Sequence, residues 1–154
     1  CLGCVVIAPP NHHLLVVKGG HLKLSSSAAK KINFARPSAE PLFASVAAIY
    51  QKDAIAVVLT GGDGDGSFGV QIIKDHGGKV IAQDRPTAQD FCMPQTSSET
   101  GDVDFVLPLV ESAAKLIGLV GAGKMRPPAV AKSATPRYAA ATKAAMIKRK
   151  KTSA

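Results

Sequence analysis

Several things are scarce in this 154-residue chain, and each shortage narrows what it can be. Its longest apolar run is about six residues, far below the roughly 20 needed to cross a bilayer as a helix, so no span is expected. No basic leader precedes an apolar block and a small-residue cleavage site, which leaves secretion without support and makes the cytoplasm the expected compartment. Cysteine is limited to Cys1, Cys4 and Cys92, odd in number and irregular in spacing, which argues against a disulfide framework. Cys1 and Cys4 form a C-x-x-C pair. With no second pair and no histidine at metal spacing after it, ordinary buried or frayed thiols are expected rather than zinc or redox chemistry. Acid is missing from residues 122–154, which hold nine Lys and Arg, whereas residues 1–121 hold ten against eleven Asp and Glu. The basic balance of the chain therefore belongs to its tail. Nor does Met open the chain: Cys1 leads directly into an apolar run, an opening that reads as that of a fragment.

The rest is one domain's worth of alternating elements. Val5 to Ala8 is a β-rich run stopped by Pro9 and Pro10. Leu14 to Leu24 reads as a hairpin turning at Gly19-Gly20, followed by an exposed polar loop to Pro37. Ser38 is a good N-cap, and Leu42, Val46, Ile49 and Tyr50 follow at helical spacing, so Ser38 to Gln51 is expected to be an amphipathic helix. The continuous apolar run Ala54 to Leu59 suits a strand buried on both faces of a parallel sheet. A helix from Ser67 to His76 ends at Gly77-Gly78; Lys79 to Ala82 is the next strand. A loop with short helical pieces, a strand over Phe105 to Leu107 and a helix from about Leu109 to Val120 complete the pattern. Such alternation predicts the α/β class, with an open, mostly parallel sheet and helices on both faces. Chemistry in these sheets gathers where strands end, so the loop after Leu59 is the place to look.

That loop contains G-x-G-x-x-G at Gly64, Gly66 and Gly69, between a strand and a helix, with Asp84 after the next strand. This is the context of a dinucleotide fingerprint. Asp63 and Asp65 oppose it, because carboxylates would stand where a pyrophosphate needs bare amides. A calcium loop fits worse: Phe68 stands where glycine is required, and no Glu closes the loop. Two readings stay open from the residues alone. The glycines make a tight turn and the aspartates cap a helix; or an aspartate at a strand end orients a histidine, as in serine hydrolysis.

Longer stretches carry a resemblance. Ala8-Pro9-Pro10-Asn11-His12-His13-Leu14-Leu15-Val16 is similar to an A-P-P-D-x-H-L-x-V segment, and Arg36-Pro37-Ser38-Ala39-Glu40-Pro41-Leu42-Phe43-Ala44-Ser45-Val46-Ala47 to an R-P-S-V-D-x-L-F-x-S-x-A segment, both found in CheB-type chemotaxis methylesterases. Val57 to Gly61, Asp65-Gly66, Gly77-Gly78, Ile81 to Asp84, Met93-Pro94 and Gly101 to Leu109 follow in the family's order and spacing. The resemblance runs from about Val5 to Val120. It implies a Ser-His-Asp triad on an α/β sheet, hydrolysis of glutamate methyl esters on chemoreceptors, glutamine deamidation in some members, and no metal or organic cofactor. Asp65 aligns with the triad aspartate. The family's serine turn, G-A-S-T-G-G, and its histidine stretch, Q-H-M-P, are absent from the chain. Both lie ahead of the region that Cys1 begins, so the resemblance implies that residues 1–121 are a partial methylesterase domain, its sheet incomplete at the N-terminus and without measurable hydrolysis alone. Ser67 aligns with no nucleophile, and His13 matches a family histidine outside the triad and is expected to be structural or on the surface. Gly62 replaces a family methionine near the oxyanion site, Asp63 brings charge close to it, and Cys92 stands where the family tends to have Gly.

The expected partners are chemoreceptors, with a receiver domain or the missing N-terminal segment as further ones. An inactive receptor-binding scaffold is the alternative of another class, and a nucleotide-binding protein a third. Residues 122–154 read as a disordered basic tail, with a helical tendency over Tyr138 to Ile147. Its cluster ending at Lys151 has the charge to meet phosphate backbones or anionic lipid, although a solvated linker is the favoured reading and nucleic acid is not an expected partner.

Overall fold

Backbone pairing sorts the strands into two sheets in this computed structural model, which describes residues 4–122. The first sheet is the expected hairpin. Strand β1 (Leu14–Val17) pairs antiparallel with β2 (His21–Leu24), placing Leu14 opposite Leu24 and Val17 opposite His21. Leu14 and Val16 are buried while every residue of β2 is exposed, because only β1 packs on helix α1 (Ala39–Tyr50). The Ser45 hydroxyl of α1 also accepts a hydrogen bond from the Val16 N–H at 2.9 Å.

Ser38 starts α1 as anticipated: its backbone is extended and its Oγ accepts the Glu40 N–H at 3.2 Å. The stripe that reaches the core is Phe43, Val46, Ala47 and Tyr50, one residue displaced from the predicted Leu42 and Ile49 rows. The second sheet is parallel, in the order β3 (Ile55–Val58), β4 (Lys79–Gln83), β5 (Phe105–Leu107), with Ile55 opposite Lys79 and Ile81 opposite Phe105. Helices α2 (Ser67–Asp75) and α3 (Cys92–Glu99) make the crossovers, and α4 (Leu109–Ala122) follows β5. This is the expected α/β architecture, an open parallel sheet flanked by helices. The core joins Ala47 of α1, Ala56 and Val58 of β3, Val70 and Ile73 of α2 and Val80 of β4. Cutting Ile73 to Ala in so tight a cluster is expected to cost about 2–5 kcal/mol.

Two expectations are corrected. Val5 to Ala8 form no strand: Val5 and Ile7 are exposed, since among the described residues no neighbour supplies a ladder for them. Strand β3 is not buried on both faces. Ala56 and Val58 are buried in the core with α1 and α2, but Ile55 and Val57, which point to the opposite face, are only half-buried. The basic tail lies outside the described residues, as does Cys1 of the C-x-x-C pair.

Candidate active site

The loop leaving β3 is tied to its neighbours at the C-terminal ends of the strands. Buried Gln83, the last residue of β4, accepts the Thr60 N–H with Oε1 (2.9 Å) and donates Nε2–H to the Thr87 carbonyl (2.8 Å). Thr60 Oγ1 donates to the Asp90 carbonyl (3.0 Å) and accepts the Asp90 N–H (2.7 Å). Gly61 accepts the Met93 N–H through its carbonyl at 2.9 Å, and a Cβ on it would collide with the Met93 sulfur. Gly61 is thus a close-approach glycine.

Asp65 stands at the far end of this loop and is only 6% exposed. Its Oδ1 accepts the Ser38 hydroxyl and its Oδ2 the Ala39 N–H, both at 2.6 Å. The aspartate therefore closes the start of α1, not that of α2, its own neighbour in sequence. The start of α2 is closed from the other side by Glu40, 2% exposed, whose carboxylate accepts the N–H groups of Gly66 (3.1 Å), Phe68 (3.2 Å) and Gly69. These are orphan donors of a helix's first turn. Two glycines permit the crossing: Gly66 turns with φ +90°, and Gly69 has no room for a Cβ beside Phe43 and the Glu40 carboxylate. Burial pushes Glu40 up from 4.5 to about 7, with the Asp65 charge adding to the rise, although the three amide bonds pull the other way.

None of the histidines, nor Ser67, hydrogen-bonds to the Asp65 carboxylate. His13 is buried with Nε2 3.0 Å from the Lys30 carbonyl, and its Nδ1 accepts the Ser38 N–H at 3.2 Å. Both ring nitrogens are used and the ring is buried, which supports the structural one of its two expected roles and removes the surface one. His12 sits on the Pro10 carbonyl and His76 on the Ile72 carbonyl of its own helix, while His21 is exposed. Ser67 donates to the Gly64 carbonyl, Asp63 accepts the Asp65 N–H, and Cys92 is half-buried and free. The dinucleotide reading fails on geometry, because the amides that a pyrophosphate would need at α2 are held by Glu40, and Asp84 is engaged with Thr87. Sequence reasoning missed Glu40. Its only local signal is an acid in a first helical turn, which ordinarily reads as serving its own helix.

Asp65 is thus held by neutral donors in the loop after β3, between Gly64 and Gly66, and residues 2–116 match the family described as CheB methylesterase. The chain belongs to the CheB methylesterase family. It is 41% identical over 116 residues to a Rhodospirillum rubrum protein-glutamate methylesterase/protein-glutamine glutaminase, covering 75% of this chain and 30% of that protein. A Thermotoga maritima relative of the same name is 40% identical over 119 residues, covering 77% and 35%. The crystal structure of the Thermotoga maritima CheB methylesterase catalytic domain superposes with a TM-score of 0.68 at 38% identity, covering 73% of this chain and 60% of that domain. The CheB-family chain thus spans 60% of one solved catalytic domain and about a third of these curated relatives.

Proposed function

We propose that the chain is part of a protein-glutamate methylesterase that hydrolyses glutamate methyl esters on chemoreceptors in the cytoplasm, releasing methanol, with receptor glutamine deamidation as a second reaction. Residues 1–121 supply the sheet and the orienting carboxylate, Asp65, and residues 122–154 form a basic appendage. Asp65 carries the reading. Each of its oxygens accepts one hydrogen bond and has capacity for another, so the carboxylate can accept a hydrogen bond from the Nδ1–H of an imidazole without giving up Ser38 or Ala39. An aspartate so placed fixes the histidine's tautomer and stabilises the imidazolium that forms when a serine attacks the ester carbonyl. The serine turn and histidine stretch of the family are not in these 154 residues, so the proposed reaction needs a segment that carries them. No helix among the described residues is long and apolar enough to cross a membrane.

The test joins the chain behind the family's serine- and histidine-bearing segment and measures methanol from methylated receptor. Activity is expected from the fusion and none from the chain alone. Turnover by the unfused chain that disappears in Asp65→Ala would place the nucleophile within these residues and overturn the assignment. The missing motifs favour one second reading, a receptor-binding module without turnover; receptor capture by an inactive fusion would establish it.

A further inference from the structure

We propose that Ser38 and Glu40 are positioning residues for the Asp65 carboxylate, Ser38 by fixing the direction of its oxygens and Glu40 by fixing the turn from which it projects. The proposal rests on the methylesterase reading for its meaning in catalysis, but its geometry stands alone.

Ser38 is locked from three sides. The His13 ring nitrogen facing the Lys30 carbonyl must carry the proton, which leaves Nδ1 as the acceptor that receives the Ser38 N–H at 3.2 Å. The Glu40 N–H occupies a lone pair of Ser38 Oγ. The hydroxyl proton is then free to point at Asp65 Oδ1, 2.6 Å away, while the rigid Ala39 N–H takes Oδ2. Two donors on two oxygens define the plane of the carboxylate, which one donor does not.

Glu40 acts one step further out. Asp65 is followed by Gly66, and the Gly66, Phe68 and Gly69 amides all end on the Glu40 carboxylate. The turn bearing Asp65 is thereby pinned to α1, the helix whose first residues hold the Asp65 side chain. Side chain and backbone share one reference frame, so the carboxylate cannot drift as the loop breathes. The donors are also uncharged. Both ion pairs among the described residues belong to Asp104, and none reaches Asp65. A Lys or Arg in the place of Ser38 would orient the carboxylate equally well, but would offset the negative charge that an imidazolium requires.

The experiment reads the Asp65 side-chain torsion in the 154-residue chain from its Hα–Hβ scalar couplings by NMR. A single rotamer is expected in the natural chain and in Ser38→Thr, which keeps the hydroxyl, and averaged couplings in Ser38→Ala. Glu40→Gln is expected to average them too, because its amide turns donors toward donors; it carries the same reading should Ser38→Ala lose its folded spectrum. In the active fusion, Ser38→Ala and Glu40→Gln should lower kcat by roughly ten- to a hundredfold with KM nearly unchanged, and Ser38→Thr should restore most of it. One unaveraged rotamer in both Ser38→Ala and Glu40→Gln, or an unchanged kcat, would overturn the proposal. A fusion without any turnover whose couplings still respond as described would retire the methylesterase reading and leave the positioning role standing.

Discussion

Two carboxylate clusters sit at opposite ends of the helix α2, and they are built on different principles. At its C-terminal end Asp104 accepts Lys74 Nζ at 2.7 Å, Lys79 Nζ at 3.1 Å and the Val80 N–H at 2.8 Å. Burial alone would raise this acid, but the two ammonium groups and the amide hold it below its ordinary value. At the N-terminal end Asp65 and Glu40 receive only hydroxyl and amide hydrogens, and Glu40 is pushed up to about 7. Asp104 is a charge-paired fastener between α2 and the sheet. Asp65 is held in place with bonding capacity unspent. The half-buried Asp104 is a structural acid neutralised by cations, whereas the more deeply buried Asp65 is aimed by neutral donors alone.

The sharpest test of that contrast is on turnover. Asp65→Asn in the active fusion is expected to lower kcat by about 10⁴-fold, as loss of an orienting aspartate does in serine hydrolases, while Asp104→Asn leaves the rate of methanol release unchanged. Stability against pH comes next. The folded state binds the Glu40 proton more tightly than the unfolded chain, so this residue's contribution is fully present below 4.5 and is lost as pH rises through about 7. Urea titrations between those limits should show a fall of about 3 kcal/mol that Glu40→Gln flattens. Asp104 has the opposite sign: its contribution is present above 3.8 and disappears as pH falls through its lowered value. Asp104→Ala, which strands a buried amide and two ammonium groups, is expected to cost about 1–3 kcal/mol at neutral pH in the same titrations. The smallest effects compare glycines. A Cβ on Gly69 would stand 2.7 Å from that of Phe43, so Gly69→Ala should destabilise by about 1–3 kcal/mol. Gly118 of α4 faces open space, and Gly118→Ala should raise the melting midpoint through a gain of about 0.5–1 kcal/mol.

How much of this was legible in the sequence follows from the range of the interactions involved. Periodicity and capping act over a few residues, so Ser38 as N-cap, the hairpin at Gly19 and the stop at Gly77 could be read directly. That Asp65 lies in the loop after a strand was legible locally, but its choice over Asp63 came from the family resemblance. What could not be read was which helix the aspartate serves, because its partners Ser38 and Ala39 lie 27 and 26 residues away. Glu40 was hidden likewise, its partners being 26 to 29 residues downstream. Local pattern names a residue's element; only tertiary contact names its task. The strand expected at Val5 failed for a related reason: β-propensity describes a surface to pair, and pairing needs a neighbour that composition does not reveal.

The crossed closure of α1 and α2 has a thermodynamic corollary. Neither helix can fray at its first turn without stripping a side chain from the other, so the amides of Ala39, Gly66, Phe68 and Gly69 should exchange with deuterium through one shared opening. Two segments far apart along the polypeptide would then melt as one cooperative unit, and a single protection factor would report on both.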